Sequence, residues 1–354
     1  MKGMILAAGC GQRLRPLTHL WPKPLFPLCH QPLLGWTFRY LARYGIQEVV
    51  INLYHLAPLI QRFLADELGR EVKVHCSYES ELLGTAGGVK KAEVFLNGEA
   101  FVLINSDILI DLDLDEVIAF HRAKGALATL VLRADPEVAR FGAIGVDATG
   151  RIRQFLRWTA PGSQPPLTDL MFTGVHILEP QVLELIPNHG YHSISEELYP
   201  KMIEQGLPLY GYVAKGYWMD IGTPQRYLQV HRDILGRKAP YQVELPEDPP
   251  GVWLGDGLSL GKGVKLLPPV ALGHGCLVED GCVIGPWVVI GNQSRLDGRV
   301  YLRNSVLWDE IHIHEDCMVK RSILGRGVTL PPETKLWGKM AASVEGALQM
   351  VDAE

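Results

Sequence analysis

From Leu254 onward the chain repeats every six residues, and that period narrows the possible folds more than any other feature. Leu254, Leu260, Leu266, Leu272, Val278, Ile284, Ile290, Leu296 and Leu302 stand six apart. Four positions beyond them lie Leu258, Val264, Val270, Cys276, Cys282, Val288, Ser294, Val300 and Val306. A helix repeats every 3.6 residues and a strand every 2.0, so neither produces this series. Three hexads closing one triangular coil do, which predicts a left-handed parallel β-helix. The register weakens after Leu302, where charged residues crowd 309–320, and Leu324 and Leu330 regain the spacing. Four to five coils are expected over 252–340, with 341–354 as a C-terminal tail. Residues 238–251, rich in proline and acid, read as a linker.

Upstream, Met4–Ala7, Glu48–Asn52, Val72–Cys76 and Phe101–Ile104 are short apolar runs of strand type. Leu33–Tyr44, Ala57–Leu68 and Ala86–Phe95 carry apolar residues at helical spacing. Repeated strand–helix–strand units predict an α/β fold over residues 1–237: a Rossmann-like, doubly wound, mostly parallel sheet. Ligands of such sheets bind at the strands' carboxyl ends. Gly9 follows the first strand and Asp107 the fourth, so both fall on that edge.

The first strand breaks into Gly9-Cys10-Gly11, with Arg13 and Lys23 downstream. Glycines let a backbone curl its N–H groups around one anion without Cβ atoms in the way. Arg13 and Lys23 add positive charge for an extended polyphosphate. The spacing matches neither the P-loop nor the Gly-x-Gly-x-x-Gly dinucleotide fingerprint. Bulk properties exclude little else. With 354 residues, 47% hydrophobic and 21% charged, the composition is that of a globular protein of two domains. A formal charge of −5 gives no reason to expect nucleic acid or an acidic membrane as partner. Six cysteines without a Cys-x-x-Cys pair indicate neither a zinc site nor a redox motif. The first apolar run is too short for a signal sequence, and no stretch approaches the roughly 20 residues of a membrane span. A cytoplasmic location is the expectation.

The segment Ile5-Leu-Ala-Ala-Gly-Cys-Gly-Gln-Arg-Leu-Arg-Pro-Leu-Thr18, followed by Pro22-Lys-Pro-Leu25, resembles the N-terminal signature of the sugar-1-phosphate nucleotidyltransferases. That resemblance implies transfer of a nucleotidyl group from an NTP to a sugar 1-phosphate, releasing pyrophosphate. Carried over by position, Leu6, Ala8, Gly9 and Gly11 would contact the nucleotide, and Arg13 and Lys23 would be catalytic. Glu79-Ser-Glu-Leu-Leu-Gly-Thr-Ala-Gly-Gly88 contains the Leu-Gly-Thr-Ala element that lies against base and ribose in the family, which adds Glu79, Glu81, Gly84 and Thr85. Read alone, the same stretch is a strand-to-helix entry with Thr85 near an N-cap. Asn105-Ser-Asp107 and Tyr217-Trp-Met-Asp220-Ile-Gly-Thr-Pro224 match the family's metal motifs, so Asp107 and Asp220 would hold Mg²⁺, with Asp107 also catalytic. Two carboxylates completed by phosphate and water suit that ion. Asp107 could equally cap a turn.

On the sugar side, Phe141-Gly142 and Phe172-Thr173-Gly174-Val175 resemble segments that line the sugar pocket. Where well-studied members carry Glu-Lys-Pro, this chain reads Leu156-Arg157-Trp158. Either Arg157 supplies the missing cation to the sugar phosphate or the site is impaired. A carboxylate accepts only, and guanine's Watson–Crick edge offers two adjacent donors, so Glu79 or Glu81 favours GTP and, with the overall likeness, mannose 1-phosphate. A glucose-1-phosphate thymidylyl- or uridylyltransferase is the alternative. A nucleotide-sugar-sensing regulatory subunit without catalysis is another. Acyltransferases built on this β-helix use a histidine base, which singles out His274, His312 and His314, although surface histidines are the plainer reading. The open ends and flat faces of a β-helix predict a homo-oligomer.

Overall fold

The computed structural model describes residues 1–67, 72–138, 142–163 and 166–353. By contact the chain forms two compact units: Met1–Gly9 with Trp36–Trp218, and Cys10–Gly35 with Met219–Glu354. This partition differs from one drawn on the repeat pattern. The pattern marks where the coils begin, whereas the units mark which residues pack together.

In the first unit, β1 (Lys2–Leu6), α1 (Leu33–Arg43, most of which lies in this unit), β2 (Glu48–Leu53), α2 (Ala57–Glu67), β3 (Lys73–Tyr78), α3 (Gly84–Lys91) and β4 (Phe101–Asn105) follow one another. Leu68, expected to end the second helix, lies outside the described residues. The expected helix Ala86–Phe95 is instead two pieces, α3 and Glu93–Leu96, parted at Ala92. The strands pair in the order β3-β2-β1-β4, all parallel. Met4, Ile5, Leu103 and Ile104 are fully buried, as expected for strands covered on both faces. Winding runs outward one way from β1 to β3 and then reverses to β4, so the switch point lies between β1 and β4.

Beyond β4 the sheet turns antiparallel. Thr168–Leu178 pairs antiparallel with β4 and, further along, with Ile144–Val146, which pairs antiparallel with Ile152–Phe155. The last two are separated by only 147–151, too few residues for a crossover, so they must run antiparallel. Parallel pairing therefore predominates in the half that carries the glycine loop; beyond it, Leu209–Val213 still pairs parallel with Ala128–Arg133.

The second unit contains the parallel β-helix. Among the described residues it has one seven-stranded and two five-stranded sheets, closing five coils. Leu272, Ile284, Ile290 and Leu302 are fully buried, as the six-residue period requires, whereas Leu260 in the first coil is 43% exposed. The irregularity after Leu302 has a definite form. Val252, Val270 and Val288 stack at intervals of 18, but Val288 stacks on Ser305 and Val306 on Ile323, intervals of 17. One corner per coil is a residue shorter, at Asn304, Arg321 and Gly338, each with positive φ. Inward positions consequently shift to Leu307, Ile313, Val319, Leu324, Leu330 and Leu336. Val306, read as an inward partner of Val288, aligns with Val289 instead.

Beyond the last coil, Ala347–Asp352 pairs antiparallel with Lys339–Val344 through a turn at Glu345-Gly346, both with positive φ as such tight hairpins require. The residues 10–35 and the helix Pro224–Leu235 pack on the coils of this unit. Phe26 meets Trp308 edge-on at 4.8 Å, Trp308 Nε1 donates to the Tyr227 hydroxyl (2.9 Å), and His30 Nε2 lies 2.8 Å from the Ile290 carbonyl. No helix among the described residues is long and apolar enough to cross a membrane.

Candidate active site

At the switch point of the first unit, Leu6 pairs with Asn105, and Ser106 N–H donates to the Leu6 carbonyl (3.1 Å). The loop Ala7-Ala8-Gly9 and the turn Ser106-Asp107 therefore leave from adjoining strands. Leu6 is half-buried and Ala8 buried, while a Cβ built on Gly9 would meet no described atom within 4 Å. Space thus lies open where this loop would face an anion. Asp107 is half-buried at the foot of the following strand.

Behind this loop runs a relay that sequence reading missed. Ala7 N–H donates to Asn52 Oδ1 (2.8 Å), Asn52 Nδ2 donates to Glu79 Oε1 (2.7 Å), and Leu83 N–H donates to Glu79 Oε2 (3.0 Å). Asn52 ends the apolar run Val49-Val-Ile-Asn at 2% exposure, and a buried amide closing a strand was the available signal. Glu79 is buried with both oxygens engaged, whereas Glu81 is exposed. Gly84 has φ +74 against the His192 carbonyl, so a side chain there would be strained. Thr85 does not cap its own helix, whose N-cap is Leu83. Its hydroxyl accepts from Ile194 N–H (2.9 Å), tying α3 to the segment beyond His192.

The remaining cations belong to the second unit. Gly11 sits at φ +58, ψ +38, and Thr18 Oγ1 donates to its carbonyl (3.0 Å), closing the loop that carries Arg13. Leu14 and Leu17 anchor that loop in the unit's core, leaving Arg13 exposed. Lys23, between two prolines that fix its backbone, is 8% exposed. Gly222 joins Arg13 to Asp220: a Cβ built on it would lie 2.7 Å from both Arg13 Nη2 and Asp220 Oδ2. Arg226 Nη1 lies 3.8 Å from the same oxygen. A bare glycine keeps the Arg13 guanidinium and the Asp220 carboxylate on one face, and a carboxylate oxygen is a hard donor of the kind that divalent cations take.

On the sugar side, Phe141 lies outside the described residues. Gly142 has φ +89 and packs against Leu156 so closely that a Cβ would collide. Arg157 tips the two-residue turn between Ile152–Phe155 and Trp158–Thr159, with its guanidinium 4.3 Å from the Trp158 ring centre. Thr173 is buried and donates to the Val131 carbonyl (2.8 Å), and its own carbonyl accepts from Trp218 Nε1 (2.7 Å). Its hydroxyl is committed to the sheet. The ladder is irregular between Phe172 and His176, and Gly174, at φ +86, lies against Asn105. Bulges of this kind re-aim backbone at sites.

A glycine loop leaving a switch point of a parallel sheet is nucleotide-binding architecture, and the comparisons agree. The nucleotidyl transferase family model matches residues 2–237, and a GMPPB C-terminal domain model matches 266–346. Mannose-1-phosphate guanylyltransferase 1 of Arabidopsis thaliana is 34% identical, covering 95% of this chain and 97% of its own length. UTP–glucose-1-phosphate uridylyltransferase of Synechocystis is 32% identical over 92% of this chain and 88% of its own. Among solved structures, HddC of Yersinia pseudotuberculosis complexed with GMP-PN matches with a TM-score of 0.56 at 25% identity, over 66% of this chain and 98% of that one. The chain belongs to the nucleotidyl transferase family. It is a nucleotidyltransferase, and those curated relatives act on sugar 1-phosphates.

Proposed function

We propose that the chain transfers GMP from GTP to mannose 1-phosphate, giving GDP-mannose and pyrophosphate. The observation that carries this reading is the open Gly9 loop and Asp107 leaving from the two strands at the switch point. The sugar-phosphate oxygen attacks the α-phosphorus in line and pyrophosphate departs, so the protein's task is positioning and charge neutralisation. The Gly9 and Gly11 amides and Arg13 hold the departing pyrophosphate, and Lys23 balances charge nearer the α-phosphate. Asp107 and Asp220 hold Mg²⁺, which when bound offsets phosphate charge. Leu6, Ala8, Gly84 and Thr85 line the nucleoside, and Gly142, Thr173, Gly174 and Arg157 the sugar phosphate. Thr173 can act there through its backbone, since its hydroxyl is taken. Arginine grips phosphate well, so Arg157 replaces the absent lysine.

The guanylyltransferase relative aligned over nearly its full length supports the choice of base and sugar. The uridylyltransferase relative favours a second reading, glucose 1-phosphate with UTP. Arg13, Lys23, Asp107 and Asp220 all being present supports catalysis over a purely regulatory role. A cytoplasmic homo-oligomer belongs to the proposal, and six free thiols suit a reducing compartment. The test is pyrophosphate release with Mg²⁺ from GTP, UTP, dTTP, ATP and CTP against mannose, glucose and N-acetylglucosamine 1-phosphates. GTP with mannose 1-phosphate should turn over fastest, and Asp107→Asn should lower kcat by about 10²–10³, the loss typical of one transition-state charge contact. Folded protein that binds an NDP-sugar yet turns over no pair would leave the regulatory reading.

A further inference from the structure

We propose a second metal site, for Zn²⁺, on the outer face of the β-helix, formed by Asp297, His312 and His314. The strand pair Arg295–Leu296 and His312–Ile313 stacks parallel, Arg295 on His312 and Leu296 on Ile313. Leu296 and Ile313 point into the core, and side chains alternate along a strand. Arg295 and His312, and Asp297 and His314, therefore project outward as two stacked pairs on adjoining coils. His314 Nδ1 lies 2.9 Å and His312 Nε2 3.1 Å from one oxygen, Asp297 Oδ2. The two rings stand 4.1 Å apart, and the three donor atoms all lie within 4.8 Å of one another.

These distances approach those of a zinc site. Zn–N and Zn–O bonds of about 2.0–2.1 Å in a tetrahedron put donor atoms about 3.3 Å apart. Entry of the ion therefore needs each Asp–His separation to widen by only a few tenths of an ångström. The surroundings are arranged as for a ligand set. Arg295 Nε donates to Asp297 Oδ1 (2.7 Å), which holds the carboxylate in place, with His312 Nε2 3.2 Å from that oxygen and 3.1 Å from Oδ2. Metal-binding carboxylates are commonly oriented in this way by a second hydrogen bond. Asp297 is 8% exposed while both rings are partly exposed, so an ion could enter from solvent. Beside Asp297 opens a groove of about 650 Å³ edged by Glu279, Asp280, Arg299 and Glu315. It leaves room for water as fourth ligand, and its four acids, Asp297 included, outnumber Arg295 and Arg299, which favours a cation. Two imidazoles with one carboxylate select zinc-like ions over Mg²⁺.

The ion would clip two successive coils, since Asp297 belongs to one and both histidines to the next. Its binding should show as stability independent of turnover. Chelator-stripped full-length protein, kept in saturating Mg²⁺ to occupy hard-cation sites, is titrated with Zn²⁺ and Co²⁺. The His312→Ala/His314→Ala variant is titrated in parallel. The wild-type chain should bind one equivalent that the variant lacks, show the intense visible bands of tetrahedral Co²⁺, and melt at higher temperature with Zn²⁺. X-ray absorption at the zinc edge of the wild-type chain should report two imidazoles and no sulfur, and this measurement decides if the variant loses its cooperative melt. Equal stoichiometry in a folded variant, no equivalent bound by the wild type, or a zinc shell lacking imidazole overturns the site.

Discussion

Both oxygens of Glu79 accept hydrogen bonds inside the first unit, from Asn52 Nδ2 and Leu83 N–H, and Asn52 in turn holds Ala7 N–H. The carboxylate that looked suited to a nucleobase thus fixes the loop that would meet one, which leaves Glu81, exposed on the same loop, as the better reader of guanine. If Glu81 accepts from guanine's two adjacent donors, Glu81→Gln presents a mismatched pair. GTP kcat/KM should then fall about 10- to 100-fold relative to UTP, as for a lost charge-assisted hydrogen bond. Steady-state assays with both nucleotides check this, and an unchanged ratio assigns base choice elsewhere. Glu79→Gln should act on stability more than on selectivity. Gly88 guards the same relay: a Cβ there would lie 2.6 Å from Asn52 Nδ2 and 2.8 Å from Glu79 Oε1, two buried atoms already bonded to each other. Gly88→Ala should cost about 1–3 kcal/mol in denaturant titration, the usual range for overpacking, and should raise the nucleotide KM as the loop loosens.

The shortened corners of the later coils stay satisfied because serine stands beside each of the first two. Ser305 and Ser322, both fully buried, donate to the carbonyls of Arg303 (2.9 Å) and Lys320 (2.8 Å). Each hydroxyl also accepts from the next coil, Ser305 from Ser322 N–H (3.2 Å) and Ser322 from Lys339 N–H (3.1 Å). Ser322→Ala leaves a buried donor and acceptor with one partner fewer. It should lower stability by about 1–3 kcal/mol in denaturant titration, without changing KM for either substrate. The coils were legible because Leu272, Ile284 and Ile290 repeat on a fixed period. The deletion at Asn304 was not, because one missing residue merely blurs a period, and the polar Ser305 that takes the place expected of apolar Val306 carries no apolar signal. Likewise Gly9 and Asp107 were placeable because strand order alone brings strand ends to one edge. Asn52 was not, since its role depends on Glu79 across the sheet. Phe26 and Leu17 announce burial in any sequence, but nothing in them names the β-helix coils as their partner.

Across the whole molecule, acid should unfold the chain through its histidines before its carboxylates. His176 of the first unit, fully buried among Phe172 and Tyr199, is pushed down to about 3 by burial. His231 of the second, beside Cys29 and Tyr227, is likewise pushed down to about 3 by burial and then by neighbouring His30. His30 and His121 are lowered too, burial again being the largest cause. In an unfolded chain these rings take up a proton near pH 6.5, which the folded chain refuses until lower pH, far lower for His176 and His231. Their folded pKa values are depressed, so the unfolded state binds more protons and stability falls as pH falls through 6.5. The loss levels off only near pH 3 for His176 and His231. Each fully refusing ring contributes a slope of about 1.4 kcal/mol per pH unit. His192 works in the opposite sense, raised by its hydrogen bond to Glu197, but lies at the surface where solvent screens it. Denaturant titrations from pH 7 to 4.5, a window above most carboxylate titration, should therefore show stability falling steeply with acid. His176→Gln and His231→Gln should each remove part of that slope, even where they lower stability at pH 7. Curves that keep the full slope in both variants would mean that these rings accept protons without unfolding, and that burial in the two cores is looser than their packing implies.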